Sequence, residues 1–316
     1  MVKVSIVFAN YNGKDLLKAA LDSINSKENK NYEVIAVDNG STDGSVDFIK
    51  KNYKHVKIIE NKKNLGYVGI NSALAYCKGK YILFLNNDIR MDRNCIKELL
   101  RFIEKDDKIG MAAPRLINYY NKSLKSGGTW VSRSFYSGHI AGKEEIKEIP
   151  YLGVGLIRRD IAEKFGYIFD PDYFIYAEDV DLGLRLRLIG CKTVFVPKAI
   201  IYHAHAATTK KFASSKTTFL LERNMLTTFF KILSLKNILL LLPYVFLIRL
   251  FAIIKDVLAL NLKNAFSRIK AILWIAFNFN IVYKKRKALQ KLKKADDKFI
   301  LEVFSEKYLF QKPALI

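Results

Sequence analysis

Four apolar runs of strand length, each closing on a polar turn, punctuate the first ninety residues: Val4 to Ala9, Tyr32 to Val37, Val56 to Ile59 and Tyr81 to Leu85. Between the first two, Leu16, Leu17, Ala20, Leu21 and Ile24 recur at helical spacing, and further helices are expected around Ser45 to Lys51 and Ile70 to Cys77. Strands that alternate with helices build a mostly parallel α/β sheet, covered on both faces and joined by right-handed crossovers. A helix near Cys95 to Glu104 and a strand at Met111 to Ala113 continue the rhythm. From Pro114 to Pro150 the text turns irregular, with SGGTW at Ser126 to Trp130 and YSGH at Tyr136 to His139, and reads as long loops and short antiparallel strands. Regular patterning returns with Tyr151 to Arg158, a helix at Asp160 to Phe165, a helix entered through Tyr176 to Asp181 and ending at Ile189, and a strand at Thr193 to Val196.

Composition narrows the class further. A chain of 316 residues with 50% hydrophobic content is too long for a disulfide-stapled mini-protein and too apolar for disorder. Cys77, Cys95 and Cys191 show no CxxC pairing, so a reducing compartment fits and a structural zinc site does not. The opening MVKVSIVFANYNG reads as a buried first strand, with no export expected. The formal net charge of +23 points toward polyanions, anionic lipid surfaces or phosphorylated ligands. About half of that excess lies from Thr217 onward, where 18 basic residues face 6 acidic ones.

In that region Ile238 to Ile248 and Ala271 to Tyr283 are uncharged, and both stretches are shorter than the ~18 to 20 apolar residues that cross a bilayer. Lys231, Lys236, Arg249, Lys255, Lys263, Arg268, Lys270 and the cluster Lys284 to Lys287 flank them. Such basic, apolar helices are expected to lie in a headgroup layer; the alternatives are two ordinary helices packed on the rest of the protein or on a second subunit, and true spanning of the bilayer.

Ligands of open parallel sheets bind outside the carboxyl ends of the strands, and the polar punctuation falls there: Asn10 to Gly13, Asp38 to Asp43, Asn64 to Gly66, and Asn86-Asn87-Asp88. Neither GxGxxG after the first strand nor GxxxxGK[ST] is present, which weighs against dinucleotide and P-loop sites. Asp38 suits hydrogen bonds from a base edge or ribose, or else it caps the next helix or orders its own turn. Asp88 with its neighbouring amides suits a hard divalent cation completed by phosphate and water, or a plain strand-ending turn. Glu178, Asp179 and Asp181 crowd a helix start, where they either offset the helix dipole or include a general base. His203 and His205 stand one residue apart on an extended segment, as ligands for a cation or as a solvent-facing pair.

The ordered series FANYNG, VDNGSTDGS, NLGYVGINSAL, GKYILFLNND, LGVGLIRRD, FIYAEDVDLGLRLR and IYHAHAAT resembles the family 2 inverting glycosyltransferases with their GT-A fold, in particular the rhamnosyltransferase-like branch, over about Val2 to Lys231. The resemblance implies a nucleotide pocket lined by Ala9, Asn10 and Asn12 with Asp38 on the base, and Asp43 and Asn64 to Gly66 bordering ribose and diphosphate. It implies Asp88 as a metal ligand, with Asn86 and Asn87 where other members carry acids, and His203, in preference to His205, completing a Mg²⁺ or Mn²⁺ site. Asp179 matches the catalytic base, Glu178 a contact to the acceptor, and Gly153 a loop near the donor sugar. Residues 1–230 would form the GT-A domain, with a nucleotide-binding half to about 113 and an acceptor half from about 114, and 231–316 a membrane-association region. The implied activity transfers a sugar from a nucleoside-diphosphate donor to a glycan or polyprenyl- or dolichyl-linked acceptor in cell-surface glycan synthesis. The enzyme would be cytoplasmic, peripheral at the inner face of the cell membrane, and would bind no nucleic acid. A nucleotidyltransferase acting on sugar phosphates is the alternative.

Overall fold

The structure is a computed structural model and describes residues 2–24, 31–120, 124–126, 128–140, 148–204, 214–305 and 307. The first part of the chain runs β1 (Val4–Asn10), α1 (Lys14–Ser23), β2 (Tyr32–Asp38), α2 (Ser45–Asn52), β3 (Lys57–Glu60), a 3-10 helix (Tyr67–Tyr76), β4 (Tyr81–Asn86), β5 (Ile89–Met91) and α3 (Cys95–Ile103). It continues with β6 (Ile109–Asn118), β7 (Leu124–Ser126), β8 (Thr129–Val131), β9 (Ser137–His139), β10 (Glu148–Ile149), β11 (Gly155–Arg158), α4 (Arg159–Phe165), α5 (Glu178–Leu188) and β12 (Lys192–His203). Five helices follow: α6 (Ser214–Ile232), α7 (Leu235–Leu258), α8 (Leu262–Phe277), α9 (Phe279–Gln290) and α10 (Asp297–Leu301).

One sheet carries the order β10-β12-β6-β11-β4-β1-β2-β3, with β1, β2, β3 and β4 mutually parallel and β11 inserted antiparallel between β4 and β6. Runs such as VSIVFAN and YILFLN are buried almost throughout because helices cover both faces. One core packs α1, α2 and α3 against Ile6, Phe8 and Leu83; the other packs the 3-10 helix, α4, α5 and α6 against Val7, Phe84 and Ile157.

Three differences from the sequence reading stand out. The helix expected at Ile70 to Cys77 is wound as ten residues of 3-10 helix, where runs beyond 3 to 4 residues are uncommon. Its polar side chains are tied outward, Asn71 to the backbone of Ile168 and Phe169 and Ser72 to Asn61, and Gly69 presses on Asn39. β6 and β12 run far past Pro114 and Pro197, residues that end a strand on pattern alone, because the register jumps from Val196 opposite Pro114 to Ile200 opposite Arg115. β6 also runs straight through residue 113, so the two suggested halves share a sheet.

The third difference is α7. Its 24 residues are long and apolar enough to cross a membrane, because the helix does not stop at Arg249 as the charge pattern suggested. Arg249 is turned inward, its Nε 3.1 Å from Glu222 and its Nη1 donating to the Ser134 carbonyl at 2.8 Å. Lys231 is fully buried, and Arg268 is paired with Glu222 and Asp256, so these three are not part of a basic surface. Among the described residues the exposed cations of the region are Lys236, Lys255, Lys263, Lys270, Lys284, Lys287, Lys291, Lys294, Lys298 and Lys307, the first six of them on α7 to α9.

Candidate active site

β1, β2 and β4 end side by side, with Asn10 opposite Asp38 and Ala9 opposite Asn86. The chain builds outward from β1 to β3 and then returns to place β4 on the other side of β1, and a crevice opens at such a switch point. Its floor is a chain of side-chain hydrogen bonds. The Asn87 amide donates to Asn10 Oδ1 (2.8 Å), and the Asn10 amide donates to Asp38 Oδ1 (3.0 Å) and Ser41 Oγ (3.2 Å). Asp38 Oδ2 accepts from the Ser41 backbone N–H (2.8 Å), so Asp38 orders its own turn; α2 begins instead at Gly44, in the left-handed conformation. Asn12 Oδ1 accepts from the Thr42 N–H, and its own N–H reaches Ser41 Oγ. Asp43 accepts from the backbone of Lys14 and Ser45; burial opposes ionisation, yet these bonds and the Ser45 hydroxyl hold its carboxyl below the usual range.

Asn64 and Gly66 form the next turn, in which Asn64 Oδ1 accepts from the Gly66 N–H and Asn39 donates to the Gly66 carbonyl, both at 2.8 Å. Gly66 has φ +69°, and a Cβ there would lie 2.2 Å from the Phe174 carbonyl oxygen. Only glycine allows that approach, which brings the Asn64–Gly66 loop against the turn leading into α5.

That turn is strained. Phe174, Tyr176 and Ala177 have φ of 64°, 71° and 61°, each costing about 1–2 kcal/mol for a residue with a Cβ. It divides the acidic cluster. Asp181 points away into the protein, where it pairs with Arg185 at 2.7 Å and Lys231 at 2.7 Å. Glu178 is 6% exposed, and its Oε2 has no hydrogen-bond partner among the described residues. Burial and the neighbouring Asp179 push its carboxyl well above the usual range. Burial likewise raises Asp179 to about 6, although its Oδ1 accepts from the Val180 N–H. Desolvation therefore outweighs the helix dipole that favours ionised carboxylates at this end.

Tyr67 joins the two sides of the crevice. Its hydroxyl donates to the Gly153 carbonyl at 2.7 Å, and a Cβ on Gly153 would lie 3.4 Å from Asp179 Oδ2. Burial pushes the Tyr67 phenol well above its ordinary value, and Glu178, Asp179 and Asp88 each push it further. Those carboxylates thus act on one aromatic ring from different elements.

Asp88 follows β4, and β12 brings His203 beside it, opposite Ile89 in the antiparallel pairing with β5. Asp88 Oδ1 and His203 Nε2 are 3.5 Å apart, and the Asn86 amide nitrogen is 2.8 Å from the same Nε2. No cluster of three or more His, Cys, Asp or Glu suited to a metal occurs among the described residues. A carboxylate and an imidazole side by side fit an open site for Mg²⁺ or Mn²⁺ whose remaining positions go to phosphate oxygens and water. His205 lies outside the described residues.

Of the residues singled out by sequence, Asn10, Asn12, Asp38, Asp43, Asn86, Asn87 and Asp88 thus lie at or just beyond the strand ends with His203 beside Asp88, Asp179 approaches from α5 past Gly153, and Asp181 is turned away. Tyr67 was not among them: an aromatic that acts through a carbonyl and by proximity leaves no spacing signature.

Residues 5–166 match the family model "Glycosyl transferase family 2". The chain is 39% identical over 225 residues to the UDP-Glc:alpha-D-GlcNAc-diphosphoundecaprenol beta-1,3-glucosyltransferase WfaP of Escherichia coli, covering 67% of this chain and 82% of that one. It is 26% identical over 242 residues to the N-acetylglucosaminyl-diphospho-decaprenol L-rhamnosyltransferase of Mycobacterium tuberculosis, covering 66% and 78%. Among solved structures, the mannosyltransferase PcManGT of Pyrobaculum calidifontis, in complex with GDP-Man and Mn²⁺, shares the fold at a TM-score of 0.55 and 16% identity over 98% of this chain and 88% of its own. The chain spans between 15% and 82% of the length of the curated relatives it matches. Sheet order, site and sequence likeness agree: the chain belongs to glycosyl transferase family 2 and has the GT-A fold.

Proposed function

We propose that the chain is an inverting glycosyltransferase that moves a sugar from a nucleoside-diphosphate donor to a hydroxyl of a polyprenyl-linked or glycan acceptor in cell-surface glycan synthesis. The observation that carries this reading is geometric: the Asn10–Asp38 hydrogen bond and the Asp88–His203 pair, 3.5 Å apart, stand at the strand ends, while Tyr67 holds the Gly153 carbonyl at 2.7 Å and a Cβ on Gly153 would lie 3.4 Å from Asp179. Asn10, Asn12 and Asp38 would hold the base, with Ala9 beside them, and Asp43 and Asn64 to Gly66 would border ribose and diphosphate. Asn87 serves this pocket by holding Asn10. Asp88 and His203, with Asn86 alongside, would hold a divalent cation, which when bound supplies Lewis-acid stabilisation of the departing diphosphate. Asp179 takes the proton of the acceptor hydroxyl; a carboxylate at about 6 is ionised at neutral pH and more basic than an exposed one. Glu178, whose carboxyl burial and the neighbouring Asp179 push up, offers Oε2, unpartnered among the described residues, to a polar group of the acceptor. Gly153 leaves room for the donor sugar next to Asp179. The activities named for the Escherichia coli and Mycobacterium tuberculosis relatives support a lipid-diphosphate acceptor, and neither supports the nucleotidyltransferase alternative.

Such an acceptor is tethered to a bilayer, and α7 to α9 offer it an apolar face. Leu247, Phe251, Leu258, Phe266 and Phe277 are all more than half exposed, with exposed lysines among them. Crossing would draw the Arg249–Glu222 pair, fixed in the second half of α7, into hydrocarbon, so α7 would lie along the headgroups, at the anionic cytoplasmic leaflet.

The test is thermal stabilisation by UDP-, GDP- and dTDP-sugars with and without Mn²⁺ or Mg²⁺. A cation-dependent rise with one donor class is expected. Absence of any shift, with or without cation, would remove the donor site.

A further inference from the structure

The turn that aims Glu178 and Asp179 contains no glycine, although three of its residues, Phe174, Tyr176 and Ala177, sit in the left-handed region. Its conformation is therefore imposed from outside. Asn224, in the middle of α6 and 0% exposed, supplies the restraint. Its amide nitrogen, with two hydrogens, one of them shared, donates to the carbonyls of Tyr173 (3.1 Å), Ile175 (3.2 Å) and Tyr176 (2.7 Å). Its Oδ1 accepts from Arg223 Nε (2.9 Å) and Nη2 (2.8 Å), and Arg223 also donates to the carbonyl of Asp172 (2.8 Å). The amide is thus oriented by a neighbour and used in full. From the opposite side the turn meets Gly66 and accepts a hydrogen bond from the Val68 N–H on Phe174 O, at 3.4 Å. The first helical bond of α5, from the Asp181 N–H to the Ala177 carbonyl, starts directly after it, so the dihedrals of Tyr176 and Ala177 set where Glu178 and Asp179 point.

We infer that Asn224 is a positioning residue for the Glu178–Asp179 pair, holding the strained turn through three backbone carbonyls. This rests on the reading of Asp179 as the base. It gives α6 a part in turnover that neither composition nor its distance in sequence suggests.

The experiment uses the full chain with Asn224→Asp, which keeps the oxygen that Arg223 needs and loses the amide donors, and Asn224→Ala. Leu226→Ala, a buried neighbour on the same helix that makes none of these bonds, is the control for lost packing. Turnover is followed as UDP release from UDP-glucose with Mn²⁺ and diphosphoundecaprenol-linked N-acetylglucosamine, and amide hydrogen exchange is measured over residues 173–181. Both Asn224 variants are expected to lower kcat by about 10²-fold with donor KM unchanged, as small misplacements of reacting groups do. They should also speed exchange in 173–181 and leave β1 and β2 unaffected, while Leu226→Ala lowers Tm without either effect. Exchange in 173–181 that stays at the wild-type rate overturns the inference whatever the substrate, as does an equal loss of kcat in Leu226→Ala. Full turnover in Asp179→Asn would instead overturn the assignment of the base beneath it.

Discussion

Asp179 combines two properties that normally exclude each other, ionisation at neutral pH and enough basicity to take a proton. Burial supplies both by raising the carboxyl to about 6. Transfer should therefore rise with pH through about 6; of the groups facing Asp179, the phenols of Tyr67 and Tyr151 are pushed by burial further above their ordinary value, and the Glu178 carboxyl is pushed up by burial and by Asp179. The same shift works against stability. A carboxyl raised in the folded state favours folding below its unfolded value near 3.8 and loses that contribution as pH rises through about 6. Asp179→Asn is thus expected to cut kcat by about 10² to 10⁴ while leaving donor binding intact. At pH 7.5 it should stabilise the fold by on the order of 2 kcal/mol, read as a higher Tm. A variant that is both inactive and less stable would contradict this account. Asp179 was legible in the text as an acid at a helix start. Asn224 was not, because a buried amide that serves distant carbonyls looks like any polar residue in a helix.

At the scale of elements, α5 is held from behind by a buried ionic cluster. Lys231 of α6 lies 2.5 Å from Asp170 and 2.7 Å from Asp181, Arg185 pairs with Asp181, and Lys285 of α9 reaches Asp170 and Asp172. Burial works against the Asp170 charge, but Lys231 and Lys285 outweigh it and hold its carboxyl well below the usual range. That contribution is present above its unfolded value and is lost as pH falls below it. Lys231→Met, which leaves two carboxylates short of a cation, should cost roughly 3–5 kcal/mol in urea unfolding; a loss under about 1 kcal/mol would mean the cluster is dispensable. The strands and most helices were legible because burial on both faces writes continuous apolar runs. Where a second-order contact decides the form, the text was silent: the 3-10 winding depends on Asn71 and Gly69 meeting other loops, and β6 and β12 pass their prolines only because both fall at one register shift.

For the whole molecule, the basic excess resolves into two populations. Lys231, Arg249, Arg268 and Lys285 are among those that work inside, and the lysines at 236, 255, 263, 270, 284 and 287 are among those that remain outside, these six around the apolar face. If that face meets lipid, Phe251→Glu, Phe266→Glu and Phe277→Glu together should release the chain from vesicles containing anionic lipid and preserve its thermal response to donor. Unchanged co-sedimentation would count against the docking surface. Composition alone marks a seam near residue 231, and the ionic cluster crosses it. A fragment ending at residue 230 would keep Asp170, Asp181 and Glu222 yet discard Lys231, Arg249, Arg268 and Lys285, stranding Asp170 and Glu222 in its interior and leaving Asp181 with Arg185 alone. Anyone wishing to solubilise this protein for assay is better served by repainting its oily exterior than by amputation.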